Sequence, residues 1–151
     1  MDIQYLAGFF DGEGCIDNQV MYPANAKGKL YVRPRLRVAQ SNTGAVILHK
    51  LQETYGGHLS QRKPQNANQQ ASTSWEILDK AGITRMLEQL APLLIIKKEQ
   101  AILALWWLRN CTGRHIPEQA RMAYNDELKR MKRDLQRLSE EAIADIERLM
   151  R

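Results

Sequence analysis

The chain has 151 residues and a net charge of +5, with 22 Lys or Arg against 17 Asp or Glu. That length supports one domain with a full hydrophobic core. The apolar run Ala101 to Leu108 is too short to span a bilayer, which excludes a bilayer-spanning protein and any expected membrane partner.

The first predicted element is a helix capped by Asp2. Leu6, Phe9 and Phe10 recur on one side at helical spacing, and Gly8 and Gly12 leave a strip without side chains on another. Such a strip lets a second helix approach closely. Asp11 and Glu13 then stand at the helix end among Gly12 and Gly14. Carboxylates there oppose the helix macrodipole at up to about 1 kcal/mol each. A carboxylate held against that cost at a helix seam suggests a metal site; a packed helix with a polar turn is the plainer reading.

After Gly14 the period changes to two. Ile16, Val20 and Tyr22 are expected on one face, with Asp17, Gln19 and Met21 on the other. The stretch from Pro23 to Gly28 reads as a turn or loop. The clearest strand follows: Leu30, Val32, Pro34, Leu36 and Val38 alternate with Tyr31, Arg33, Arg35 and Arg37. Pro34 argues for an edge position or a bulge. Three arginines at alternate positions, with no acid beside them in the strand, repel one another unless an anion lies against them. A solvated basic face is the plainer alternative. Between Gly14 and Trp75 the charge is lopsided: Lys27, Lys29, Arg33, Arg35, Arg37, Lys50, Arg62 and Lys63 face only Asp17 and Glu53. That is the footprint expected for a nucleic-acid partner.

Asn42 or Thr43 is placed to cap a second helix, which Tyr55-Gly56-Gly57 ends. A second strand pair is expected at His58–Lys63 and Thr73–Leu78. The amide-rich loop from Pro64 to Ala71 between them reads either as a linker or as a tip that orders on DNA. A third helix spans about Ala81 to Leu90, and a fourth about Lys97 to Arg109 with Ile102, Leu103, Leu105, Trp106 and Trp107 as core. A last long helix is expected from Pro117 onward, through Leu128, Met131, Leu135, Leu138, Ala142, Ile146 and Leu149. It either docks on the body or pairs as a coiled coil, and carries Lys129, Arg130, Lys132, Arg133 and Arg137 on its charged face.

Cys15 and Cys111 lie far apart, and His49, His58 and His115 are scattered, so no zinc pattern or disulfide framework is present. The N-terminus has no signal-peptide pattern. A soluble intracellular protein is expected, in the cytoplasm or in an organelle matrix.

Leu6-Ala7-Gly8-Phe9-Phe10-Asp11-Gly12-Glu13-Gly14-Cys15 resembles the motif of the LAGLIDADG homing endonucleases, present here once. The resemblance implies an α+β fold: an αββαββα core with a saddle-shaped antiparallel sheet across the DNA major groove, followed by a C-terminal helical extension. The core would occupy residues 1–112 and the extension 113–151, as part of the same domain or as a dimer contact. One motif per chain implies a homodimer, with Gly8, Asp11 and Gly12 at the interface. It implies Glu13 as the metal-binding acid, Gln40 as the water-positioning residue and Lys97, with Lys98 as fallback, as the basic partner. Where some relatives carry an arginine, this chain has Gly44. The implied cofactor is Mg²⁺, with Mn²⁺ substituting and Ca²⁺ supporting binding only. The implied partner is double-stranded DNA with a long pseudo-palindromic site, cut across the minor groove to leave short 3′ overhangs. Base contacts are expected from Gln19, Met21, Tyr31, Arg33, Arg35, Arg37, Ser60, Arg62 and Glu76. An intron-encoded nuclease follows. The alternatives are an RNA-splicing maturase, a non-cleaving regulator of the same fold, or a helical oligomerisation protein.

Overall fold

The computed structural model describes residues 1–22, 30–111, 115–134 and 137–151. The expected loop from Pro23 to Gly28, Leu135 and the expected boundary after residue 112 lie outside the described residues. The elements run α1 (Ile3–Glu13), β1 (Gly14–Met21), β2 (Tyr31–Ser41), α2 (Ala45–Tyr55), β3 (His58–Arg62), β4 (Ser72–Ile77), α3 (Lys80–Leu90), α4 (Lys98–Asn110), α5 (Glu118–Asp134) and α6 (Glu140–Met150). This is an α+β chain whose first seven elements follow the expected αββαββα order.

The four strands form one open antiparallel sheet in the order β1-β2-β4-β3. Ile16, Leu36, Val38, Trp75 and Ile77 turn inward and are buried against Leu6, Phe10, Leu48, Leu51, Ile83, Met86, Leu87, Leu90 and Leu105 from α1 to α4. The Trp75 indole Nε1 donates to the Gly56 carbonyl at 2.9 Å, so the largest core side chain leaves no stranded donor. Gly57 has φ +95°, and a Cβ there would lie 2.6 Å from the Glu76 carbonyl and 2.7 Å from that indole nitrogen. Only glycine suits both constraints, and the helix stop after Tyr55 falls where the sequence places it.

Two local expectations are refined and two change. Pro34 lies at an edge position, as expected, although β2 as a whole is not an edge strand. β2 is an inner strand, but its pairing with β4 begins only at Leu36. Pro34 opposes Asn18 of β1 and has no β4 residue on its other side, so its missing N–H breaks no ladder bond there. Ile16 and Val20 share a face as expected, but Val20 and Tyr22 are exposed, although Val32 opposite Val20 is buried. Neither Asn42 nor Thr43 caps α2 by its side chain; a short 3₁₀ turn at Asn42–Gly44 leads in. Asn42 Oδ1 instead accepts from Thr73 Oγ1 at 3.1 Å, and Thr43 pairs with Ser41. In α4, Ile102 is 37% exposed rather than core.

The long C-terminal helix is two helices. Ser139 caps α6, its Oγ accepting from the Ala142 N–H at 3.2 Å. α5 and α6 pack on the body, not as a coiled coil. Trp107 stacks on Tyr124 with ring centroids 4.3 Å apart and planes 6° from parallel. Leu103, Leu128, Met131 and Ile146 join them, with Leu30 and Val32 at the start of β2. The charged face of α5 is also not uniformly solvated: Lys132 Nζ donates to the Ile16 carbonyl and to Cys15 Sγ, both at 3.1 Å.

Candidate active site and nucleic-acid interface

The site begins at the end of α1. Asp2 Oδ1 accepts from the Tyr5 N–H at 2.9 Å and starts the helix. Leu6, Ala7 and Phe10 face the core, while Gly8 and Gly12 are exposed, with nothing within 4 Å of where a Cβ would stand. The glycine strip therefore faces open space in the single chain. Tyr5 and Phe9 stack beside it with centroids 6.5 Å apart.

Asp11 is buried and fully engaged within its own chain. Its Oδ2 accepts from the N–H groups of Ile95 at 2.6 Å and Ile96 at 3.2 Å, and its Oδ1 from the Lys97 N–H at 2.9 Å. These three donors lie just ahead of the N-terminus of α4. The end of α1 disfavours a negative charge, but the start of α4 favours one. Lys97 Nζ donates in turn to the Asp11 carbonyl. One carboxylate thus pins residues 95–97 and delivers Lys97 to the acidic end of α1. Ile95 and Ile96 stand 86% and 66% exposed beside that hinge.

Glu13 follows, exposed. Gln40, at the end of β2, donates from Nε2 to Glu13 Oε2 at 3.0 Å. Gln40 is itself hemmed in: a Cβ at Gly44 would lie 2.8 Å from Gln40 Oε1. Gly44 has φ −92° and ψ 0°, which alanine also adopts, so the Gln40 side chain and not the backbone calls for glycine. The structure brings Glu13 and Gln40 together; Lys97 joins through Asp11, and among the described residues forms no ion pair with Glu13. No group of three potential ligands from His, Cys, Asp and Glu gathers among the described residues. At the end of α1 the exposed carboxylate is Glu13, since Asp11 is occupied by backbone donors. That fits Mg²⁺, which is held by one or two carboxylates with waters and substrate phosphates.

Strand register defines the second half of the site. Cross-strand partners share a face. The pairs Gln19–Arg33, Met21–Tyr31, Asp17–Arg35, Arg37–Glu76 and Ser60–Ser74, with Arg62 opposite Ser72, put all nine residues expected to contact bases on the sheet face opposite the core side chains Ile16, Leu36, Val38, Trp75 and Ile77. Glu13 lines a cleft of about 400 Å³ with Arg37, Arg62, Ser74 and Glu76, so the acidic end of α1 opens onto this face.

The arginine row is not without an acid. Asp17 lies directly across from Arg35. Arg35 Nε donates to its Oδ1 at 3.0 Å and Nη2 to its Oδ2 at 3.1 Å, and Arg37 Nη2 reaches Oδ2 at 2.6 Å. Glu76 Oε2 is 3.7 Å from Arg35 Nη1. The hydrogen bonds to Asp17 raise the basicity of Arg35 above its ordinary value, with burial opposing. Among the described residues Arg33 has no ion-pair partner. Tyr31 is covered on one side by the Arg121 guanidinium, 4.7 Å from the ring centroid, whose Nη1 donates to the Leu30 carbonyl at 2.5 Å. Sequence reading missed both the Asp17 pairing and the binding of residues 95–97 by Asp11. The signal for the first was Asp17 in the outward register of its strand; for the second there was no local signal.

The LAGLIDADG endonuclease family profile matches residues 6–101, which span every element just described from α1 to the start of α4. The chain belongs to that family. Within it, the DNA endonuclease I-CvuI of Chlorella vulgaris is 32% identical over 102 residues, covering 67% of this chain. This match spans 60% of the relative's length. A crystal structure of the homing endonuclease I-CvuI with its target and calcium superposes with a TM-score of 0.72 at 25% identity, over 97% of this chain and 93% of that one. The archaeal intron-encoded homing endonuclease I-Vdi141I, complexed with DNA, has the same fold, with a TM-score of 0.67 at 18% identity over 97% and 95% of the two chains. No described helix is long and apolar enough to cross a membrane.

Proposed function

We propose that the protein is a homodimeric, Mg²⁺-dependent, intron-encoded homing endonuclease that cleaves both strands of a long pseudo-palindromic DNA site. The observation that carries this reading is the Glu13–Gln40 contact, made by the same Glu13 that lines a cleft with Arg37, Arg62 and Glu76. Two α1 helices meeting along Gly8 and Gly12 bring two Glu13 carboxylates together, with each Asp11 supporting the seam from beneath.

When bound, Mg²⁺ supplies charge neutralisation at the phosphate and a more acidic water. The chain's own residues do the rest. Gln40 Nε2 orients the Glu13 carboxylate, while Gln40 Oε1 is left to accept from an attacking water and align it. Lys97 places a positive charge near the scissile phosphate, held at the end of α1 by the Asp11 carbonyl. Gln19, Met21, Tyr31, Arg33, Arg35, Arg37, Ser60, Arg62 and Glu76 meet base edges in the major groove.

The test begins with cleavable sites selected from a random DNA library with Mg²⁺, and Ca²⁺ as the binding-only control. Glu13→Gln is expected to bind the selected site with Ca²⁺ at wild-type affinity and to lose Mg²⁺ cleavage by at least about 100-fold, in line with losses seen when a catalytic electrostatic group is removed. Full cleavage by Glu13→Gln sinks the assignment.

A further inference from the structure

The β2 sequence suggests an unopposed positive strip, but the fold sets a carboxylate into it. Asp17 is only 19% exposed, Arg35 21%, and the two form a side-on fork, with Arg37 bound to the same carboxylate. We propose that Asp17 is a specificity determinant of the nucleic-acid face: it holds Arg35 and Arg37 in a base-reading orientation and withholds their charge from phosphates. The inference rests on the reading of this face as the DNA interface, and adds to it a residue that need touch no base.

The guanidinium has five N–H donors. Arg35 spends Nε–H and one Nη2–H on Asp17, which leaves the Nη1–Nη2 end of the fork without a hydrogen bond, with Glu76 Oε2 3.7 Å from Nη1. That end is the one that matches guanine O6 and N7. A long, flexible side chain is thus ordered before DNA arrives, so less freedom is lost on binding. The charge effect has the opposite consequence for random DNA. Non-specific affinity depends on cations that neutralise phosphates, and Asp17 holds two of the face's arginines in a partly shielded cluster. Glu76, at 3.7 Å from Nη1 and more exposed, is held less closely and yields that end to a base more readily than Asp17 yields its own.

Removing Asp17 therefore weakens binding to the selected site and strengthens binding to random sequence. A merely structural residue moves both the same way or neither. The experiment uses the full chain, a library-selected duplex and a random-sequence duplex of equal length, with Ca²⁺ present and a KCl series read by fluorescence anisotropy. Asp17→Asn is expected to tighten random-duplex binding about threefold or more and to steepen the log–log salt slope by about one for each arginine freed. The ratio of selected to random affinity falls at least about tenfold, the scale of one well-made base contact. Asp17→Glu keeps the charge but moves the carboxylate: selected-site affinity falls while random-duplex affinity and salt slope stay at wild type. Arg35→Gln separates the two levels of argument. If it leaves selected-site binding unchanged, the DNA face itself is misassigned. If it weakens that binding while Asp17→Asn leaves both duplexes unchanged or lowers both in parallel, the role given to Asp17 is overturned.

Discussion

Replacing Asp11 by Asn tests how the two ends of the site are tied together. The carboxylate accepts three backbone N–H groups, from Ile95, Ile96 and Lys97. Hydrogen bonds to a charged acceptor contribute about 1.5–3 kcal/mol each. An amide keeps one oxygen and turns an NH₂ group toward donors, so at least one of the three bonds is lost and the charge assistance of all three with it. The exposed Ile95 and Ile96 side chains show that this segment reaches water once released, which limits the penalty. The expected loss for Asp11→Asn is about 2 kcal/mol, and roughly twice that for Asp11→Ala, where all three donors are abandoned. Urea unfolding should show a lower midpoint at unchanged slope. Hydrogen exchange reads the local effect directly: amides 95–97 should lose protection while α3 and the distal turns of α4 keep theirs. With Lys97 released, cleavage should fall about tenfold or more beyond any loss of folded protein, as for other misplaced groups near the chemistry. Stability within about 0.5 kcal/mol of wild type, with amides 95–97 still protected, would refute the account.

Gly44→Ala should change stability by less than about 1 kcal/mol, because reduced unfolded-state freedom offsets the crowding of Gln40 Oε1. Cleavage should nevertheless fall with DNA affinity unchanged, and in a Gln40→Ala background the same substitution should have no further effect; additive losses would show that Gly44 does not act through Gln40. Burial, reinforced by Glu147, pushes the Cys111 thiol from an ordinary 9.0 up to about 11. The unfolded chain therefore loses its proton first, and stability should fall as pH rises from about 9 through about 11. Urea titrations of wild type and Cys111→Ala over that window should differ in slope, and parallel curves would count against the assignment.

Much of the fold was legible because its signals are local. The helical spacing of Leu6 and Phe10, the alternation from Leu30 to Val38 and the paired glycines after Tyr55 each act within a few residues. The α6 start was missed: Ser139 caps it, but the apolar spacing continues in phase across that position and reads as one helix. Pro34 signalled its own edge position, but not that the rest of its strand is inner, because that depends on what lies across the strand. Its tolerance depends on β4 ending opposite Leu36.

The acidic end of α1 divides the same way. Sequence by itself determined that a helix with a bare glycine strip ends in Asp11 and Glu13, beside a strand with one basic face, since covalent spacing alone sets which side chains share a face. Only the tertiary structure decided what each charge does. Asp11 meets donors 84 to 86 positions away, Glu13 meets Gln40 across 27, and Asp17 meets Arg35 across 18. Charges act through distance in space, and those distances are set by strand register and helix packing rather than by order along the chain.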